Sequence, residues 1–196
     1  MSYEILAAIT MEDIEKRISA CTLCRLHRSR KNAVPGEGPL DAEILFCGEA
    51  PGHNESLQGR PFVGSAGKFL TELLQIAGLR RENVYISNVV KCRPPENRDP
   101  LDDEVEICTS NYLQKQIATI KPKLVVTLGR IAARALLGRH VSMGREHGAL
   151  LDCTYAGIDF KLYLAYHPAA ALYGAGAKQK LQADFRKLGR VLKSVG

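Results

Sequence analysis

Ala42-Glu43-Ile44-Leu45-Phe46-Cys47-Gly48-Glu49-Ala50-Pro51-Gly52 is the stretch that decides the fold. A short apolar run ends at a glycine, and a carboxylate follows at once in a Gly/Pro loop. A run of that length with such a stop reads as a buried strand. The pattern recurs downstream. Val84–Val90 reads as a second strand, and Lys123–Leu128, closed by Gly129, as a third. Helix-sized segments lie between them. Ser65 can cap a helix through Ala77, stopped by Gly78. Asp99 and Pro100 suit the N-cap and first turn of a helix reaching about Ile120, before Pro122. Ile131–Leu137 is helical and ends at Gly138. Upstream, Thr10 can cap a helix to about Ala20, with Glu12 and Asp13 in its first turn. Downstream, Ala149–Cys153 and Phe160–Tyr166 flank a hairpin turn at Ala156-Gly157, and Lys178–Val195 is a basic amphipathic helix. Strand-helix alternation predicts a mostly parallel sheet with helices on both faces. Ligands of such sheets bind at the carboxyl ends of the strands. The loops after Cys47, Val90, Leu128 and Tyr166 are therefore the ones to inspect.

Length and composition narrow the class. The 196 residues suit one domain with a proper core, and 45% hydrophobic with 24% charged residues is globular rather than disordered. No apolar run reaches the ~18 residues of a membrane span. Met1-Ser2-Tyr3-Glu4-Ile5-Leu6 lacks the basic start and apolar block of an export signal, so a cytoplasmic protein is expected. The net charge of +6 suggests an anionic partner, although it also suffices merely to keep a small domain soluble.

In a reducing compartment, the six cysteines are metal ligands or small core residues sooner than disulfides. Cys21 and Cys24 form a C-x2-C knuckle in a basic, Gly/Pro-rich loop. Cys92 follows a strand, and Cys108 sits about two turns into the next helix, so both could face one point. Four thiolates suit zinc or an iron–sulfur cluster, and the spacing leaves the two open. Cys47 and Cys153 fall in strands and read as core residues.

The strand-end loops carry the remaining candidates. Glu49 is placed for a cleft as a general base or electrostatic group, or else caps loop amides. In Gly59 to Gly67, Ser65 opens a helix whose N-terminus favours anions. Phe62 in that loop is a candidate base-stacking ring or a core plug. There is no Walker A loop. Asn88 offers an amide suited to a nucleobase edge, with Lys91, Arg93 and Arg98 after it as basic groups for phosphates. His167 leaves the last strand at the same sheet edge, a catalytic candidate. Leu172 and Tyr173 follow in a small-residue loop, where apolar side chains could wedge into a base stack.

Together these segments resemble the family 4 uracil-DNA glycosylases, the thermostable iron–sulfur type. The resemblance runs from Cys21 to about Tyr173. It rests on Cys-Thr-Leu-Cys at 21–24, Arg30 to Gly38, Gly48-Glu49-Ala50-Pro51-Gly52, Gly59 to Gly67, Asn88 to Pro95 with Asn97-Arg98, and His167-Pro168-Ala169. It implies a three-layer α/β/α sandwich around a four-stranded, mostly parallel sheet. One domain would span 1–196, with a cluster-binding segment at about 10–41. It implies a [4Fe-4S] cluster on Cys21, Cys24, Cys92 and Cys108. It further implies uracil contacts from Glu49, Gly52, Glu55, Phe62, Asn88 and His167, with Glu49 and His167 catalytic. Ser65, Lys91, Arg93, Arg98, Leu172 and Tyr173 would meet DNA, single- or double-stranded. Related glycosylases carry Asp where this chain has Ala50, which leaves Glu49 as the carboxylate of the site. The family commonly has Glu-Asp where this chain has Glu55-Ser56, which puts any role of a second acid there in doubt. A branch that becomes covalently trapped on DNA has an extra loop where Pro94–Arg98 is short, so turnover is expected. A monomer is expected. No partner motif is legible, and a sliding clamp is the protein partner a repair role would allow. Two other classes compete on the residues alone: a metal-stabilised DNA-binding module without catalysis, and a nucleotide-metabolising enzyme.

Overall fold

The apolar run around Phe46 forms β1 (Ile44–Gly48), which is hydrogen-bonded on both sides. The structure is a computed structural model and describes residues 10–195; the stretch Met1–Leu6 lies outside them. The remaining strands are β2 (Tyr85–Asn88), β3 (Leu124–Leu128), β4 (Leu150–Tyr155) and β5 (Ile158–Ala165). They form one sheet in the order β2-β1-β3-β5-β4. All pairs are parallel except β4–β5. The sheet has five strands where four were expected. The fifth is the first arm of the Ala156-Gly157 hairpin, which pairs along its whole length with β5 and closes the edge. Both turn residues have positive φ, 52° and 74°, as a tight two-residue hairpin requires.

Alternation along the strands fills two cores. Leu45, Cys47, Val125 and Leu162 pack with Ile14 and Ile18 of α1 (Met11–Ser19) and with Leu113, Ile117 and Ile131. Phe46, Val126, Leu128 and Tyr163 point the other way. There they meet Leu70 and Leu73 of a helix at Ser65–Ile76 and Leu181 and Phe185 of the terminal helix. Burying both faces suits β3, all five of whose residues are buried and only Thr127 of which is polar. Cys47 is core, as expected, and burial pushes its thiol up to about 12. Cys153 is half-buried on the edge strand.

The helices follow the sequence except at their starts. Thr10 caps α1 by accepting from Asp13 N, while Asp13 accepts from Thr10 N. A short α2 (His53–Gln58), absent from the sequence reading, follows β1. In α3 (Ser65–Ile76) the N-cap is Gly64 and Ser65 is the first helical residue. The amides ahead of α3 are satisfied from α2 instead of by a serine cap. The expected cap at Asp99 is also displaced: Asp99 pairs with Arg130 at 2.9 Å, and α4 (Asp102–Cys108) starts three residues later. Glu104 accepts from Leu101 N at 2.8 Å there. A π-turn, Thr109–Leu113, links α4 to α5 (Gln114–Ile120). Thr109, Ser110 and Asn111 each donate to a carbonyl four residues back, which loosens the helix just past Cys108. α6 (Arg130–Leu137), α7 (Met143–Glu146) and α8 (Ala175–Val195) complete the chain.

Candidate active site

Chain order places β2 on one side of β1 and β3 on the other, so the sheet has its switch point at the carboxyl end of β1. Glu49 emerges there. Register aligns Gly48 with Asn88 and Leu128 with Ala165, which brings Asn88 and His167 to the same edge. A cavity of about 400 Å³ opens between them. All six residues expected to contact a base line it: Glu49, Gly52, Glu55, Phe62, Asn88 and His167. Asn97, Arg98 and Tyr173 line it as well.

Asn88 is 1% exposed, yet among the described residues neither Nδ2 nor Oδ1 has a hydrogen-bond partner. A buried polar atom left unpaired costs about 1–3 kcal/mol, so an amide held bare in a cavity is poised for a ligand. Gly48 makes this possible. A Cβ at that position would overlap Asn88 Oδ1 and stand 2.6 Å from Phe62 Cζ.

Phe62 has a left-handed φ of 51°, a strained state for an aromatic residue, and it is held from both sides. Arg81 Nη2 donates to Pro61 O at 2.6 Å. Glu55 Oε1 accepts from Val63 N at 2.9 Å and from Gly64 N at 2.7 Å. The ring is only 6% exposed. It packs on the core and also faces the cavity. Its centroid lies 5.8 Å from the His167 ring, tilted by 31°. Glu55 thus lines the pocket while its carboxylate shapes the Phe62 loop. Ser56, the position that departs from the family pattern, faces away: its hydroxyl accepts from Lys31 N at 3.0 Å.

His167 Nδ1 accepts from Ala169 N at 3.1 Å. That bond assigns the proton to Nε2 when the ring is neutral. Burial pushes the ring down to about 4, opposed by the charge of Glu55, so it is neutral near pH 7. Glu49 shifts the other way. Burial and the nearby Asp99 push it up to about 7, against the pull of Arg130. A neutral hydrogen-bond donor and a carboxyl poised between its two states share one cavity.

Cys21, Cys24, Cys92 and Cys108 line a second, small pocket with Ile18, Leu26, Val90, Lys91, Ile107 and Tyr112. Among the described residues no three His, Cys, Asp or Glu side chains converge as a single metal ion requires. The thiols surround a space instead. Burial raises Cys24, Cys92 and Cys108, the last to about 12, so these thiols ionise readily only for a cationic occupant. Arg30 donates to Cys92 Sγ at 3.1 Å and to Cys21 O at 2.8 Å, and Lys91 N donates to Cys108 Sγ at 3.3 Å. Four thiols with donors already aimed at two sulfurs fit a polynuclear iron–sulfur group.

The residues expected to meet DNA divide. Ser65 is exposed on the first turn of α3. Leu172 is 56% and Tyr173 89% exposed beside the mouth. Arg93 donates to Asn97 Oδ1 at 2.8 Å and contacts His53 at 3.0 Å. Arg98 lines the cavity and holds Glu104 through both carboxylate oxygens, at 2.9 and 2.8 Å. Lys91 is the correction. It is 1% exposed, with Nζ on Asn88 O and Ser87 Oγ, and cannot reach a phosphate. Its place just past a strand, in a run of basic residues, carries no sign of that. Arg30 and Glu104 were missed as well. Neither lies in a motif whose spacing suggests a contact to the cysteine loop or the mouth.

A bare amide, a neutral imidazole and a carboxyl raised by burial share one pocket at the switch point of an α/β sheet. A sequence profile of the Uracil DNA glycosylase superfamily matches residues 35–193. The type-4 uracil-DNA glycosylase of Archaeoglobus fulgidus is 45% identical over 186 residues, 93% of each chain. That of Saccharolobus solfataricus is 47% identical over 92% of this chain and 86% of its own. That of Thermotoga maritima is 49% identical over 72% and 74% respectively. The chain belongs to the uracil DNA glycosylase superfamily, in its type-4 branch.

Proposed function

We propose that this enzyme excises uracil from DNA by hydrolysing the C1′–N1 bond, leaving an abasic site and an uncut backbone. The unpaired Asn88 amide carries this reading. A base stacked in duplex must first be flipped out, at a cost of a few kcal/mol. Leu172 or Tyr173 fills the gap it leaves, and Ser65, Arg93 and Arg98 steady the phosphates. Phe62 stacks on the extruded ring. Asn88 Nδ2 donates to O4 and Oδ1 accepts from N3–H. Cytosine presents a donor and an acceptor in the reverse places, so the amide would stay unpaired.

As the bond breaks, negative charge gathers on uracil and positive charge on the sugar. His167 Nε2–H donates to O2 of the departing anion. A neutral donor suffices here, because burial already excludes water from the oxygen. The carboxylate of Glu49 faces the cationic sugar or orients the water that completes hydrolysis. The developing sugar cation favours its ionised form. Ala50 offers no second acid, so this one weak base serves.

Cys21, Cys24, Cys92 and Cys108 would hold a [4Fe-4S] cluster, which supplies a rigid cross-link between the knuckle, the β2 exit and α4. The cluster would order the basic loop to Asp41 and take no part in bond cleavage. Among the described residues no helix is long and apolar enough to cross a membrane. We read the chain as a cytoplasmic monomer acting on single- or double-stranded DNA, with a sliding clamp as the partner to test by pull-down.

Purified protein is given uracil-containing single- and double-stranded oligonucleotides, and its absorption spectrum is recorded on the same preparation. Free uracil and strands that break only after alkali are expected. Without uracil release the reading fails. Tight DNA binding that ignores Glu49→Gln and His167→Ala, with no uracil release by wild type, would indicate a binding module.

A further inference from the structure

Lys91 is the largest charged side chain that the fold buries completely, and nothing in the mechanism above uses it. Its ammonium donates to Asn88 O at 2.6 Å and to Ser87 Oγ at 2.7 Å. Ser87 Oγ in turn donates to Pro35 O at 2.8 Å. No carboxylate forms an ion pair with Lys91 among the described residues. A buried cation without an anion is strongly unfavourable. Lys91 lines the same small pocket as Cys21, Cys24, Cys92 and Cys108. Its own backbone amide donates to Cys108 Sγ. Four thiolates outweigh the charge of an iron–sulfur core, so the loaded site is anionic. Lys91 and Arg30 are the cations placed to balance it.

We propose that Lys91 is a positioning residue with two ends: buried counter-charge of the cysteine site, and brace of the Asn88 backbone that aims the amide into the base pocket. The proposal rests on the reading of both sites given above. Its physical content is a coupling. The ammonium stays in place because the thiolates need it, and while in place it fixes the carbonyl of the residue that reads the base. Losing the cluster leaves the charge uncompensated, and the brace on Asn88 loosens.

The test uses the holoenzyme and the variants Lys91→Met and Lys91→Gln. Met removes charge and donor; Gln removes the charge and keeps a donor. Iron content, the reduction potential of the cluster, and KM and kcat on uracil-containing DNA are measured for each. Both variants should shift the potential to more negative values, because a buried cation favours the reduced, more anionic cluster. Lys91→Met should raise KM by about tenfold, the effect of one lost charge-assisted hydrogen bond. It should also lower the preference for uracil over cytosine, with binding of uracil-free DNA within about twofold of wild type. Lys91→Gln should recover most of the KM and none of the potential. Wild-type potential together with wild-type KM in Lys91→Met overturns the proposal. If neither variant folds, stripping iron from wild type decides: KM should rise with uracil-free DNA binding retained, and an unchanged KM overturns it. A wild type that is colourless and iron-free refutes the cluster reading itself, while the KM arm still judges the brace.

Discussion

At the scale of single residues, function here works against stability. Asn88 is kept buried without a protein partner among the described residues, and Glu49 is kept where burial makes its charge unwelcome. Asn88→Ala should therefore abolish uracil discrimination and lower kcat/KM by about two orders of magnitude. Its thermal midpoint should hold or rise, because two unpaired polar atoms are removed. A melt in which the variant is markedly weaker than wild type would contradict this. Glu49 makes a signed prediction. Its carboxyl ionises at about 7 in the fold and near the ordinary 4.5 when unfolded. The folded state is thus penalised increasingly as pH rises from the unfolded value, and fully above the folded one. Glu49→Gln should gain stability at pH 8 and little at pH 4, seen by paired melts, while losing activity at pH 8, where wild type carries the carboxylate. In wild type, kcat/KM should rise with pH through about 7 as the carboxylate forms. His167 adds no limb there, since its ring is neutral above about 4.

At the scale of elements, the loop carrying Phe62 is bent into place by its neighbours. Glu55 on α2 satisfies the Val63 and Gly64 amides, and Arg81 holds the Pro61 carbonyl. Glu55→Gln keeps one acceptor oxygen but loses the charge that strengthens both bonds. It should raise KM several-fold with a small stability loss of about 1 kcal/mol, measured by kinetics and denaturant titration. Gly67, near the start of α3, lies against the Phe62 carbonyl, so any side chain there would displace the ring. Gly48→Ala tests the packing between β1 and the pocket. Its methyl would strike both the Asn88 amide and the Phe62 ring. Activity should fall at least about a hundredfold, for an overpacking cost of about 1–3 kcal/mol. A variant with wild-type kcat/KM would show that the two side chains have slack. The hairpin was legible because its turn residues are local; the start of α4 was not. Asp99 looks like a cap in sequence, but its carboxylate is drawn to Arg130 across the fold.

At the scale of the whole molecule, the net charge of +6 is less available than its count suggests. Arg60 is held by Glu37, Arg98 by Glu104 and Arg25 by Asp103, while Lys91 is buried. DNA affinity should fall with salt, but with a slope reflecting only a few phosphate contacts, readable from binding between 50 and 200 mM salt. Cys21→Ala should lose visible colour and several degrees of thermal midpoint, since the proposed cluster would tie the 21–41 loop to the β2 exit and α4, whose cysteines line one pocket. Gly52 and Glu55 joined the site only through the family resemblance; the sequence by itself determined the parallel α/β plan, the four-cysteine set and Glu49, Phe62, Asn88 and His167 as strand-end candidates. Those are written in local pattern: apolar periodicity, glycine stops and short motifs at strand ends. Only the tertiary structure decided that Lys91 faces inward, that Glu55 braces a loop and that Asn88 has no partner among the described residues. Each depends on which distant groups come to lie within about 3 Å, and one-dimensional spacing does not encode that distance.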